Sequence, residues 1–224
     1  MGAPSYQLYR IGRRVSRNPI VRRLLPERLR ARVQGRLLNG AIQHLPDRRY
    51  MEEVLIPAMV ALRPGRLLDV GIEHYSGHYR QAFPADCEYW TLDCNPAVAG
   101  LGAPGRHIVG DALELGAHFP PGSLDLVLLN GTFGFGIDRA EDQERAVAAV
   151  QTVLRPGGRL LVGWDRAADG SPLVMGERPA GTPLKDPLEL AAIREAFDHG
   201  APGALPPRVK FGDCSHVYDW FERR

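Results

Sequence analysis

No run of about 18 or more apolar residues occurs in the 224-residue chain, which argues against a membrane-spanning helix. The first residues also lack the apolar core of a secretory signal. Cysteine is scarce: Cys87, Cys94 and Cys214 are odd in number and match no paired metal spacing, so they read as reduced thiols of a cytoplasmic protein, and no metal site is expected. Internal repeats and low-complexity tracts are missing as well. So is the Gly-x-Gly-x-x-Gly of a nicotinamide-dependent dehydrogenase, because Gly71-Ile72-Glu73-His74-Tyr75-Ser76 carries glycine only at the first of those three positions.

Negative charge is nearly missing from residues 1–45, where Glu27 is the one acid beside ten arginines between Arg10 and Arg36. That segment carries +9, which leaves −7 for the rest of a chain whose net charge is +2. An asymmetry of this size speaks to interactions and not to fold. Leu24, Leu25, Leu29, Val33, Leu37, Leu38, Ala41 and Ile42 recur at three- and four-residue steps, and Pro26 suits a helix start, so a basic amphipathic helix is expected. It can cover one side of the main domain with arginine facing solvent, dock peripherally on an anionic membrane face, or form a dimer contact in a homo-oligomer. Nucleic acid fits less well, since no aromatic platform or recognition motif accompanies the arginines. The domain division is therefore a basic helical extension over 1–45 and a globular domain over 46–224.

What the chain does contain begins with Arg66-Leu67-Leu68-Asp69-Val70-Gly71, an apolar strand running into a glycine and a polar turn. A second strand, Tyr89-Trp90-Thr91-Leu92, ends in Asp93, 22 residues beyond Gly71. A carboxylate about 20 residues after the first glycine turn is placed to accept hydrogen bonds from a ribose diol. Ile108-Val109-Gly110-Asp111 closes a third strand, and Leu124 to Leu129 forms a fourth. A helix over Ala140 to Leu154, with Ala146, Val147, Val150, Val153 and Leu154 on one face, precedes a Pro156-Gly157-Gly158 break and a fifth strand. Another helix is expected from Asp47 to Leu62. Strand and helix alternate from there through Trp164, which implies a parallel sheet with helices on both faces. Gly71, Asp93, Asp111 and Asn130 all fall at strand ends and should converge at the carboxyl edge. After a Gly- and Pro-rich loop from Ala167 to Pro187, a helix at Leu188 to Phe197 and a strand pair, Arg208 to Phe211 and Ser215 to Phe221, complete the chain.

In motif order and spacing, Arg66 to Trp164 resembles the class I S-adenosylmethionine-dependent methyltransferases, in which a Leu-x-Pro-Gly-Gly-x-Leu run like Leu154 to Leu160 precedes the fifth strand. The resemblance implies an α/β fold: a Rossmann-like doubly wound sheet, mostly parallel, with an antiparallel C-terminal strand. It also implies S-adenosylmethionine as cofactor and methyl transfer to a small-molecule acceptor, at oxygen in preference to nitrogen. By the same resemblance Asp69 and Gly71 border the methionine part and Asp93 binds the ribose. Asp111 or Ala112 meets the adenine, and Asn130 lies near the transferred methyl.

Two residues depart from the family pattern. Glu73 and Tyr75 stand where it keeps glycine, so they either shift the methionine half of the cofactor, line its pocket, or block it. Blocking would make the chain a catalytically inactive binding or scaffold protein that uses its basic arm on an anionic surface or partner. The stretch Asn130 to Asp138 lacks the Asn-Pro-Pro-Tyr of many enzymes that methylate amino groups of bases, and its glycines and phenylalanines suit an apolar wall for a small acceptor. For proton removal the candidates are His74, His78 and His216, with His74 nearest the cofactor loop. Tyr75 and Tyr79 either face the sulfonium or pack against the sheet.

Overall fold

The computed structural model describes residues 45–167, 169–170, 172 and 183–224. The expected helix within residues 1–45 lies outside them except for Leu45, as does most of the loop from Ala167 to Pro187. Eight strands form one sheet: β1 (Arg66–Val70), β2 (Glu88–Asp93), β3 (His107–Val109), β4 (Leu124–Phe133), β5 (Leu154–Asp165), β6 (Phe197–His199), β7 (Arg208–Lys210) and β8 (His216–Arg223). Their order is β3-β2-β1-β4-β5-β8-β6, with β7 also paired to β8. β1 to β5 run parallel, and β8 lies antiparallel against β5, as expected for the C-terminal strand.

Strand residues alternate between two apolar layers, as a period of two requires when both faces are covered. Leu68, Val70, Val127, Leu129, Leu160 and Val162 face helix α2 (Ala140–Val153) and its Ala146, Val147, Val150 and Val153. Leu67, Leu126, Leu128, Leu161, Tyr218 and Trp220 face Met51, Leu55, Ile56 and Met59 on the other side. Those four belong to a helix, here α1, of three successive segments: Pro46–Tyr50, the π-helical Met51–Leu55 and Ile56–Ala61. Pro57 explains the widened middle. It has no N–H to donate, and the turn before it opens so that Ile56 N–H bonds the Met51 carbonyl.

Several sequence expectations need correction. The crossovers β1–β2, β2–β3 and β3–β4 carry 3-10 segments, Tyr79–Ala82, Pro96–Leu101 and Ala112–Ala117, where α-helices were expected. Pro84, Pro96 and Pro104 with Gly77, Gly100, Gly102, Gly110 and Gly116 interrupt these connections, so no long amphipathic helix is sustained. The Pro-Gly-Gly break lies inside β5, at a register shift between the pairs Leu124↔Leu154 and Leu126↔Arg159, and Gly157 there has φ of +70°. The helix expected over Leu188 to Phe197 is a 3-10 turn, Pro187–Glu189, followed by α3 (Ala191–Ala196), and Phe197 already starts β6. The last strand pair gains β6 as a third member on the same side of β8.

A buried charge cluster fastens that edge. Asp219, with 0% exposure, accepts hydrogen bonds from Trp164 Nε1 at 2.8 Å and Arg208 Nε at 2.6 Å, and His199 Nε2 lies 3.1 Å away. Arg208 also reaches Asp186 through Nη1 at 2.8 Å, tying β7 to the turn before α3. Removing one partner of such a pair strands the other charge away from water. Asp219→Ala is therefore expected to destabilise the fold by about 3–5 kcal/mol. Glu53→Ala, at the exposed Arg49–Glu53 pair, should cost less than about 1 kcal/mol. Urea unfolding of the two variants checks this, and similar losses would show that the edge cluster is not what fastens β8.

Candidate active site

Strand order reverses between β1 and β4, and the carboxyl ends on either side of that point open a crevice. Across it, in order, stand Asp111 after β3, Asp93 ending β2, the Gly71 turn after β1, Asn130 in β4, Asp165 ending β5 and His216 starting β8. The expected convergence of Gly71, Asp93, Asp111 and Asn130 on one edge is what the sheet produces.

The turn after β1 is pinned from both sides. Gly71 N–H donates to the Leu92 carbonyl at 2.9 Å, and Ile72 N–H donates to the Asp93 carboxylate at 2.8 Å. The other Asp93 oxygen accepts from Asn95 N–H at 2.7 Å. Gly71 has φ of +86°, and a Cβ on it would lie 3.2 Å from Thr132 Cγ2. Glycine is thus required here twice over, for the torsion and for the close approach of β4. Asp111 is exposed and caps Leu113 N–H at 2.9 Å, while Ala112 is buried at the start of the 3-10 turn.

The two residues at glycine positions of the resembled pattern are turned differently. Glu73 is exposed at the loop surface, and its carboxyl is pushed above the usual range by the surrounding protein and by Asp93, against the pull of His74 and Arg48. Tyr75 is half-buried, with its ring beneath the guanidinium of Arg48, whose Cζ lies 4.1 Å from the ring centroid. His74 is exposed. His78 is 3.2 Å from Glu52 and edge-on to Tyr79, whose ring packs in the buried layer.

Asp69 is wholly buried at the floor of the crevice and accepts a hydrogen bond from the Tyr89 hydroxyl at 2.8 Å. Burial raises its carboxyl to about 7, although the Tyr89 bond and the charge of Arg48 both work downward. At the opposite end, Ser215 Oγ donates to Asp165 Oδ1 at 2.6 Å. The buried His216 has Nδ1 3.6 Å from Asp165 Oδ1 and Nε2 3.2 Å from Asn130 Oδ1. Burial works to raise the Asp165 carboxyl, but the bonds from His216 and Ser215 and the nearby Arg48 outweigh it and hold it below the ordinary range. A Cβ on Gly163 would collide with Asn130 Oδ1 and with His216 Nε2, so that glycine makes room for the chain of contacts.

Arg48, Asp165 and Ser215 were not legible as site residues. Arg48 looked like one charge among several at a helix start, and Asp165 like an ordinary loop residue. Gly163 inside an apolar strand was the signal that could have pointed to the neighbouring Asn130 and His216. Among the described residues no group of three or more His, Cys, Asp or Glu could hold a metal ion, and no helix is long and apolar enough to cross a membrane.

A family profile described as a methyltransferase domain matches residues 68–162, which contain the Gly71 turn, Asp93, Asp111 and Asn130. Among solved structures, the chain is similar to the N-methyltransferase NodS from Bradyrhizobium japonicum WM9 in complex with S-adenosyl-L-homocysteine. That match has 15% identity and a TM-score of 0.57, covering 96% of this chain and 98% of that one. A SAM-dependent methyltransferase from Thermotoga maritima, described as a possible histamine N-methyltransferase, gives 18% identity and a TM-score of 0.52 over 86% of this chain and 99% of that one. An O-methyltransferase family protein from Burkholderia thailandensis gives 15% identity and a TM-score of 0.50 over 88% of this chain and 62% of that one. A search of curated protein sequences finds no significant match.

The raised Asp69 carboxyl has a measurable consequence. With a folded pKa of about 7 against 3.8 in the ordinary state, the fold keeps a proton that the unfolded chain gives up, so stability falls as pH rises from about 4 to 7. The full effect has an upper bound of about 4 kcal/mol. Asp69→Asn, which keeps an acceptor for Tyr89, should flatten that slope and exceed the parent in stability at pH 8. Urea unfolding at pH 5 and pH 8 without ligand measures both, and equal slopes would mean Asp69 is ionised in the fold.

Proposed function

We propose that this chain, a class I S-adenosylmethionine-dependent methyltransferase by its fold and matched domain, transfers the methyl group to a small organic acceptor, at oxygen in preference to nitrogen. The observation that carries the acceptor side is the buried Asp165–His216–Asn130 chain at the crevice edge. The two ring nitrogens of His216 face oxygen acceptors, Asp165 Oδ1 and Asn130 Oδ1, so the imidazole serves as a donor that orients the Asn130 carboxamide toward an acceptor hydroxyl. Asn130 is held by His216, so its carboxamide is pre-oriented at the β4 end, where an acceptor would be aligned. His216 is thus a positioning group for Asn130, while His74 stays exposed on the cofactor loop.

The residues present fit the cofactor. Gly71 takes a positive φ, Asp93 has its carboxylate fixed by two backbone N–H groups at the end of β2, and Glu73 lies at the loop surface with its carboxyl partly shielded by the surrounding protein. When bound, the S-adenosyl group supplies the electrophilic methyl. The chain's part is to align donor and acceptor and keep water out, which can account for a large share of the acceleration. Asp93 would hold the ribose, Asp111 and Ala112 the adenine, and Asp69 and Gly71 the region of the methionine part. The free thiols Cys87, Cys94 and Cys214 fit a reducing, cytoplasmic setting, and the basic segment 1–45 offers a contact for an anionic membrane face or a second copy of the chain.

S-adenosylhomocysteine at 100 times its dissociation constant should stabilise the protein by about 2.7 kcal/mol. A flat calorimetric titration of folded protein would favour a scaffold role. Asp93→Ala should weaken that binding by about 1–3 kcal/mol. Glu73→Gly should leave it intact or reduce it, because the residue lies at the loop surface; a tenfold gain, about 1.4 kcal/mol, would show that Glu73 obstructs the pocket. Incubation with S-adenosylmethionine and a panel of hydroxy and amino compounds, read by mass spectrometry, identifies the acceptor atom. Products methylated only at nitrogen would overturn the preference for oxygen.

A further inference from the structure

Arg48 is 8% exposed, yet its Nε and Nη1 make no hydrogen bond. Its nearest carboxylate, Asp47 Oδ2, lies 3.5 Å from Nε, too far for a good hydrogen bond. The Tyr79 hydroxyl is buried beside Arg48, whose guanidinium is the group it can pair with, and makes no other hydrogen bond. Buried polar groups in native proteins are nearly always paired, and a guanidinium with two unanswered donors is among the costlier exceptions. A buried guanidinium with donors left over, beside a buried hydroxyl, marks a place where a ligand can supply the missing acceptor.

The location narrows the ligand. Arg48 sits on the Tyr75 ring, in the loop that follows Gly71, and its charge reaches Asp69 and Glu73 on the same turn. Stacking on an aromatic face fixes the plane of the guanidinium and leaves its edge available. That edge is a planar fork matched to a carboxylate. At this end of the crevice the methionine part of an S-adenosyl compound is the portion that carries a carboxylate.

We propose that Arg48, held on the ring of Tyr75 and assisted by the Tyr79 hydroxyl, receives the α-carboxylate of the bound S-adenosyl compound. The inference rests on the methyltransferase reading above and assigns it an anchor that the glycine-poor loop lacks. Tyr75 is then a positioning residue, since it acts by setting the orientation of the guanidinium.

Two probes separate this role from a structural one: S-adenosylhomocysteine, and 5′-methylthioadenosine, which keeps the adenosyl thioether but has no amino-acid end. Calorimetric titration of the full chain should show the parent binding S-adenosylhomocysteine more tightly. In Arg48→Met that affinity should fall about 10- to 100-fold, the loss of a charged hydrogen-bonded pair, while methylthioadenosine binding changes less than about threefold. Arg48→Lys keeps the charge without the fork and guards against misfolding of the methionine variant; it should show a smaller loss with the same selectivity. Equal losses for both probes, or unchanged S-adenosylhomocysteine binding, would overturn the assignment and leave the methyltransferase reading standing. A parent that binds neither probe would overturn both.

Discussion

The crevice depends on one constraint: between β2 and β4 the chain after β1 must turn where a side chain does not fit. Gly71 meets it, with its N–H on Leu92, its Cα against Thr132, and the next N–H on Asp93. A larger residue would have to force a left-handed torsion and push β4 outward at the same time. Because β1 and β4 are the strands at which the order reverses, any such shift would move both walls of the site together. The position of Asp93 follows from the same contact, since its carboxylate is fixed by the turn it supports.

Around that turn the electrostatics are unusually one-sided. Asp69, Glu73 and Asp165 gather within the reach of a single buried cation, Arg48. In a low-dielectric crevice, carboxylates so arranged cannot all stay ionised without compensation. The structure resolves this by position. Asp165 is stabilised as an anion by Ser215 and His216, whereas the burial of Asp69 outweighs the Tyr89 hydroxyl and the charge of Arg48 and moves it toward the protonated form.

The sheet was legible because its strands are short apolar runs ending in glycine or aspartate, a local pattern with a direct backbone cause. β1 to β5, α2 and the Gly71–Asp93 spacing were visible on that ground. The three short crossovers were not. Strand–helix alternation reads each of them as a helix, whereas the prolines and glycines spread through each keep it to a short 3-10 segment. Arg48 and Asp165 were invisible for a different reason. Each becomes a site residue through partners far away in sequence, Tyr75 for one and His216 for the other, and periodicity carries no information about such pairings. The ten-arginine segment, the strongest compositional signal, lies outside the described residues.

The missing helix after β1 and the buried arginine belong to one argument. In doubly wound sheets the crevice commonly receives the amino end of an α-helix, whose dipole and free N–H groups favour negative ligand groups. Here the corresponding segment is a 3-10 turn of four residues, Tyr79–Ala82, too short to build up a useful dipole. Glycines that would let a ligand lie against the backbone are absent too, replaced by Glu73 and Tyr75. A full positive charge delivered from α1, on the other side of the loop, substitutes for both losses. It also makes the substitution at residue 75 intelligible: an aromatic ring gives the guanidinium a flat surface to rest on, where a glycine would leave it unsupported.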